Sequence, residues 1–146
     1  MLQCLGELEA AEDLYLGSIA LFPTSEGHTF LGWTYSFKGD LKRAIAECKA
    51  AIDTDPSFGN PYNDIGAYLI ELERVDDAIP WLKKALESSR YACYFYAHTN
   101  LARVYALRGQ THLARKHLEE ALKVNPEYEP ASEMLRRLSR GTDYVA

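Results

Sequence analysis

A block of residues that recurs every 34 to 36 positions is the feature that most restricts the fold of this chain. Its clearest mark is a large aliphatic residue followed by a small one, in the pairs Leu31-Gly32, Ile65-Gly66 and Leu101-Ala102. Repeats of this length are typical of stacked architectures, in which each copy is one supersecondary unit that buries its apolar face against its neighbours. The sequence therefore predicts stacked units.

Residues 31–40, LGWTYSFKGD, favour a different structure when they are read alone. Trp33, Tyr35 and Phe37 alternate with small or polar residues and precede a Gly-Asp pair, which is the pattern of a half-buried strand that ends at a turn. Placed in the repeat, the same residues belong to a helix. Tyr35 is then expected in the core, and Trp33 and Phe37 on another face.

Each copy of the block continues with a turn, a second segment and, in two copies, a closing proline. The shared positions are Gly39-Asp40, Ala44, Ala51 and Pro56 in the first copy, Ala78 and Ala85 in the second, and Gly109-Gln110, Ala114, Ala121 and Pro126 in the third. Small residues allow two helices to approach closely, glycine suits the reversal between them, and proline ends a helix. The pattern predicts pairs of helices.

This block resembles the tetratricopeptide repeat, whose signature is a helix with L-G-x2-Y, a turn, and a second helix with A-x3-F and a closing proline. The resemblance implies an all-α fold, an α–α superhelix built as a solenoid of antiparallel helix pairs. It also implies that the first helices of the pairs line a concave groove and that the second helices lie outside.

Matching the repeat to the whole chain predicts a single domain, 1–146. Its expected parts are a partial N-terminal repeat 1–24, repeats 25–58, 59–94 and 95–128, a capping helix 129–140 and a tail 141–146. The stripe Ala131, Leu135 and Leu138 predicts the capping helix. Arg90 stands where a proline is expected, so residues 87–94 should form an altered connection. Pro80 lies early in a second helix, where it should cost little within about the first turn and should kink the helix if it lies deeper.

The first-helix face opposite the packed residues carries the candidate binding residues. They are Phe30, Trp33 and Phe37 in the first copy, Asn63 and Asp64 in the second, and Tyr96, Asn100 and Arg103 in the third. Aromatic side chains supply contact area at low entropic cost, and asparagine can bond an extended backbone, so this face suits a peptide. The alternative is that the aromatic residues pack against the incomplete N-terminal repeat.

Some members of the family clamp the terminal carboxylate of chaperone tails with lysine, asparagine and arginine on three successive groove helices. The matching places here hold Thr29 and Trp33, then Asp64, then Tyr96 and Asn100. Asn100 is the one suitable donor, it stands where a basic residue is expected, and Asp64 would repel a carboxylate. We predict that this protein is not a chaperone-tail receptor.

Composition and cysteine usage disfavour other classes of partner. The net charge of -5 argues against a nucleic-acid partner, since such proteins gain affinity by neutralising phosphates. Cys4, Cys48 and Cys93 are odd in number and lack C-x-x-C spacing, which favours a reducing compartment. There is no 18-residue apolar stretch. We predict a cytoplasmic protein without a membrane partner.

No residue pattern points to catalysis. His28, His98, His112 and His117 have no cysteine, serine or carboxylate at the spacing of a catalytic triad or a metal site, and no glycine-rich phosphate loop is present. Cys48 occupies a large apolar position of the second-helix signature, which makes it a core residue. The sequence predicts a protein that is not an enzyme, with no catalytic residue, cofactor or metal.

Three functions remain after these exclusions. The first is a scaffold or adaptor module that binds a peptide or helix segment of another protein in the groove. The second is self-assembly, for example as a homodimer, through Leu2, Leu5 and Leu8 of the incomplete repeat, aided by net charges of -8 for residues 1–73 and +3 for residues 74–146. The third is the scaffold segment of a longer enzyme.

Overall fold

A computed structural model describes residues 5–21 and 23–141 of the chain. In this part, eight helices follow one another, and an isolated bridge between Phe58 and Arg90 is the only β-type pairing. The helices are α1 (Leu5–Leu21), α2 (Ser25–Phe37), α3 (Leu41–Thr54), α4 (Asn60–Glu71), α5 (Val75–Glu87), α6 (Tyr94–Leu107), α7 (Thr111–Val124) and α8 (Glu129–Ser139). The fold is all-α, as predicted.

The helices stack as pairs. The closest partners are α2 with α3, α4 with α5 and α6 with α7, and each pair packs on the next through α3 with α4 and α5 with α6. The first helices also contact one another, α2 with α4 and α4 with α6. Contacts between sequential neighbours are the organisation of a solenoid. We propose the repeat boundaries 25–58, 59–94 and 95–128 because each encloses one pair.

The segment LGWTYSFKGD lies in a helix and its terminal turn. Thr24 caps α2, its hydroxyl accepting a hydrogen bond from the Gly27 N–H at 2.9 Å, which satisfies one of the free donors of the first turn. Tyr35 is buried, whereas Phe37 is 68% exposed. The prediction of a helix is confirmed, because packing follows the helical period and not the local alternation.

The turn inside each pair reverses through a left-handed residue. Gly39 and Gly109 have φ of 86° and 75°, and the middle repeat uses Glu73 with φ of 62°. Glycine adopts this conformation without the steric cost that a Cβ introduces. The turn geometry is therefore kept in the middle repeat although its glycine is missing.

The connection between α5 and α6 is tied to the preceding loop. Arg90 N–H donates to Ser57 O at 3.0 Å, and Gly59 N–H donates to Arg90 O at 3.1 Å. The Arg90 guanidinium pairs with Asp55, lies 3.3 Å from Glu26, and sits over the Phe58 ring. Arg90 thus links the α5–α6 connection to the α3–α4 connection, at the position where the sequence lacks the helix-ending proline.

Two details at the helix level go beyond the sequence pattern. Pro80 is the sixth residue of α5, and the helix continues through it, so the Asp76 carbonyl lacks its usual donor four residues on.

In α8 the buried residues are Ala131, Met134 and Leu138, while Leu135 is only partly buried. The capping stripe therefore keeps Ala131 and Leu138, with Met134 as a further buried residue and Leu135 packed at its edge. No helix within 5–21 and 23–141 has the length and apolarity needed to cross a membrane.

Candidate functional site

The eight candidate binding residues lie on the three first helices that contact one another. Phe30, Trp33 and Phe37 belong to α2, Asn63 and Asp64 to α4, and Tyr96, Asn100 and Arg103 to α6. We call this set the first-helix surface. Its members differ in exposure: Phe37 and Tyr96 are exposed, while Asn63 is only 7% exposed. Asn63 therefore positions its neighbours. Asp64, Asn100 and Arg103 are half-buried, and the aromatic members are exposed.

The aromatic end of the first-helix surface is built by α1 and α2 together. The rings of Phe30 and Trp33 meet edge to face with centroids 5.1 Å apart, and Tyr15 of α1 stacks on Phe30 at 5.7 Å. Edge-to-face and offset stacked arrangements are the favourable ones for aromatic rings. Phe30 thus packs on the N-terminal helix, while Trp33 and Phe37 keep 37% and 68% of their surface exposed.

Trp33 and Asp64 connect α2 to α4, the first helices of the first two pairs. The indole Nε1–H of Trp33 donates to Asp64 Oδ2 at 2.6 Å. Burial raises the pKa of the Asp64 carboxyl to about 7, against the opposing effect of hydrogen bonding from Trp33 and Asn63. Loss of water disfavours the charged form of an acid. The Asp64 carboxyl thus lies beside the exposed Trp33 ring, and its hydrogen bonds only partly offset the effect of burial on its pKa.

A hydrogen-bonded row links α4 to α6. Asn100 Nδ2 donates to Asn63 Oδ1 at 3.0 Å, and Arg103 Nη1 donates to Asn100 Oδ1 at 3.3 Å. Each amide group still has donor or acceptor capacity beyond these bonds. The row holds Asn100 and Arg103 in fixed positions on the surface, with Asn63 as their buried support.

A cleft of about 360 Å³ opens beside this row, between α6 and the capping helix α8. Its lining includes Asn100, Arg103, Tyr128 and Arg137, and the buried Nε of Arg103 has no hydrogen-bond acceptor. The ring of Tyr128 also meets that of Tyr96 edge to face, with centroids 5.5 Å apart. Tyr128 and Arg137 were missed from the sequence, because Tyr128 precedes α8, Arg137 lies on it, and neither is on a first helix.

The histidines form a contact that the sequence did not indicate. His98 of α6 and His117 of α7 lie with their Nδ1 atoms 3.0 Å apart, and Tyr105 stacks on the His117 ring at 5.5 Å. Burial lowers the pKa of both, that of His117 to about 4. Within the described residues, no three His, Cys, Asp or Glu side chains form a metal-binding group. Cys48 is fully buried in the core.

The residues proposed for self-association lie only partly within the described part of the chain. Leu2 and the side chain of Leu5 lie outside the described part of the chain, and Leu8 is half-buried. On the same helix, Leu14 and Leu21 are 68% and 76% exposed. These two residues are seven positions apart, which is about two helical turns, so they share a face of α1.

Comparisons with known proteins place the chain among repeat proteins. Family models described as tetratricopeptide repeat match residues 25–58 and 58–127. A search of curated proteins gives no match.

Three solved structures share the fold. The structure of pilF from Pseudomonas aeruginosa is 21% identical with a TM-score of 0.86, over 96% of this chain and 64% of that one. MamA is 22% identical with a TM-score of 0.77, over 95% of this chain and 81% of that one. The first TPR of Spaghetti (RPAP3), bound to the HSP90 peptide SRMEEVD, is 20% identical with a TM-score of 0.73, over 80% of this chain and 91% of that one.

These findings agree with the stacked helix pairs and with the left-handed turns at Gly39 and Gly109. The chain spans about two thirds of the length of the pilF structure, 64%, and identities of this size carry the fold alone. The two family models together cover residues 25–127, which is more than half of the sequence. The chain belongs to the tetratricopeptide repeat family, whose members are protein–protein interaction modules.

Proposed function

We propose that this module binds a peptide segment of another protein along the first-helix surface, as a non-catalytic scaffold or adaptor. The observation that carries the proposal is the pair of polar contacts that join the three first helices, Trp33 to Asp64 and Asn63 to Asn100. They hold exposed aromatic and hydrogen-bonding groups in one fixed row. A cytoplasmic location is part of the same proposal.

The chemistry of the row suits an extended peptide. Trp33 and Phe37 supply exposed aromatic area, and such residues dominate the energetics of many interfaces. Asn100 and Arg103 are pre-positioned by their own hydrogen bond, so a peptide that bonds to them does not have to order them first. Binding energy from both ends of the row favours a segment that crosses all three helices.

A test of this function compares the wild-type chain with the double variant Trp33→Leu/Arg103→Met in selection of peptides from a random display library. We expect peptides enriched on the wild type to lose at least about 30-fold in affinity for the variant, because two separate contacts of more than about 1 kcal/mol each are removed. Fluorescence anisotropy of labelled peptides measures the loss.

The matched control is Lys116→Met, which removes one exposed positive charge from α7, outside the first-helix surface. Its peptide affinities should equal those of the wild type, and thermal melting should show that all three proteins are folded. Equal binding by the double variant would place the binding surface elsewhere.

The proposal also holds that chaperone tails are not the ligand. Thr29 stands at the first clamp position, where it is buried and its hydroxyl donates a hydrogen bond to Ser25 O. Asp64 stands at the second clamp position and contributes negative charge. We expect no calorimetric signal on titration with SRMEEVD, the peptide held by Spaghetti (RPAP3). Saturable binding of this peptide would overturn this part of the proposal.

Self-assembly is the second candidate, and the exposed Leu14 and Leu21 favour it. Large apolar side chains that share an exposed face usually mark an interface. If α1 forms that interface, sedimentation equilibrium should show a dimer that dissociates in the variant Leu14→Glu/Leu21→Glu. A strict monomer at high concentration, or an oligomer that survives the substitution, would rule out this interface.

A further inference from the structure

We propose that Phe30, Trp33 and Asp64 form a subsite that binds a cationic side chain of the partner peptide, with arginine preferred to lysine. This inference rests on the proposed peptide-binding function and adds the chemistry of the residue that is recognised. We call these three residues the cation subsite.

The first argument is the missing counter-charge of Asp64. The carboxylate receives hydrogen bonds from neutral groups, of which the Trp33 indole is one. In the described part of the chain, no ion pair joins it to a Lys, Arg or His side chain. The raised pKa reports the free-energy penalty of holding this charge away from water. A cation from a partner would relieve that penalty.

The second argument is the aromatic surroundings of the carboxylate. Trp33 and Phe30 are 37% and 39% exposed, and the Trp33 N–H is already engaged by Asp64. The hydrogen bond and the stacking of Tyr15 on Phe30 hold both rings in place. A cation within about 6 Å of an aromatic face is attracted by the ring quadrupole, most strongly by tryptophan. Carboxylate and rings thus act on the same ligand charge.

The choice of arginine follows from shape. A guanidinium is planar and stacks on an aromatic ring while its fork donates to a carboxylate, whereas an ammonium is a compact, strongly hydrated point charge. The charge distribution adds a longer-range preference for a basic ligand, since residues 1–73 hold 12 acidic and 4 basic side chains. At the other end of the first-helix surface, the positive charge of Arg103 on α6 would repel a cationic side chain.

The experiment is a titration of the 15N-labelled chain with N-acetyl-L-arginine amide, followed through the indole Nε1–H signal of Trp33 by NMR. Trp33 and Trp81 are the two tryptophans, so Trp81→Phe assigns the signal. We expect saturable millimolar binding of the arginine compound, weaker binding of N-acetyl-L-lysine amide and no binding of N-acetyl-L-glutamic acid amide.

The decisive variant is Asp64→Asn, which keeps an oxygen for the Trp33 N–H and removes the charge. Its arginine affinity should fall by about tenfold or more, the equivalent of one moderately buried charge contact. Asp53→Asn removes an exposed carboxylate from α3 and should bind as the wild type does. Equal arginine binding by Asp64→Asn, or an equal response to the glutamate compound, would overturn the inference.

Binding should also strengthen between about pH 6 and pH 8, by about tenfold, because Asp64 must lose its proton to attract the cation. The other titratable groups that interact electrostatically with Asp64 are Cys48, Tyr68 and Tyr91. Their pKa values are raised above their usual range, so these groups stay neutral between pH 6 and pH 8. A pH-independent affinity would contradict the role of Asp64.

These titrations need no peptide partner. If the arginine compound fails while library peptides still depend on Trp33 and Arg103, the cation subsite is wrong and the proposed function stands. If the arginine compound binds as expected but no peptide depends on the first-helix surface, the subsite is present without the proposed function.

Discussion

Gly66→Ala is expected to lower the free energy of unfolding by about 2 kcal/mol, although alanine is the better helix former by about 1 kcal/mol. A Cβ at position 66 would lie 2.6 Å from Leu82 Cγ and closer still to Cδ2. Leu82 is fully buried, so its side chain cannot move aside into solvent. Either α4 and α5 separate or Leu82 leaves its rotamer, and both lose packing energy.

Urea unfolding followed by circular dichroism measures this effect, with Gly32→Ala as the matched control. A Cβ at position 32 would meet Ala44 O at 3.2 Å and Cys48 Sγ at 3.4 Å, distances that a small shift accommodates. Alanine already stands at the corresponding position 102. We expect Gly32→Ala to change stability by less than about 1 kcal/mol.

A double-mutant cycle identifies the clash as the cause. Leu82→Ala alone should lower stability by about 2–5 kcal/mol, through lost burial and the resulting cavity. The double variant Gly66→Ala/Leu82→Ala should lose clearly less than the sum of the single effects, because the new methyl group occupies part of the vacated space. Strictly additive losses would show that contact with Leu82 is not the cause.

Acidification is expected to destabilise the third repeat through His98 and His117. Burial lowers the pKa of both histidines in the folded state, that of His117 to about 4 from 6.5. The contribution of the two histidines to the free energy of unfolding is therefore fully present above about pH 6.5 and is lost as the pH falls towards 4. The reason is that the unfolded chain binds protons at a higher pH than the folded chain does. With allowance for partial exposure, we expect a loss of about 1–2 kcal/mol at about pH 5.

Chemical unfolding at a series of pH values tests this prediction in the wild type and in His117→Gln. Glutamine cannot take up the proton, so the decrease below about pH 6.5 should become smaller. His112→Gln is the control, because His112 is exposed, and its pH profile should follow the wild type. A decrease of equal size in His117→Gln would assign the acid sensitivity to other groups.

The amino-acid sequence determined the architecture because a repeat constrains the same contacts several times. Leu31, Ile65 and Leu101 are all buried, and so are Ala44, Ala78 and Ala114. Each position depends only on the pairing of a helix with its neighbour, so the spacing along the chain is sufficient to place it. The helical interpretation of LGWTYSFKGD followed from the same constraint.

The composition of the first-helix surface could be predicted only in part. The helical period placed Trp33, Asp64 and Asn100 on first helices, but the burial of Asn63 and the hydrogen bonds of this row depend on how far apart successive first helices lie. The period of one helix contains no information on that distance. The burial of Met134 in α8, where Leu135 is only partly buried, has the same origin.

The sequence by itself thus determined the number and order of the helix pairs, their turns and their small contact residues, because these follow from local spacing. Only the tertiary structure decided which side chains meet across pairs. It brought Trp33 to Asp64, His98 to His117, and Arg90 to Asp55. Such contacts depend on the angle between stacked units and on side-chain rotamers, which are settled by the packing of the whole stack.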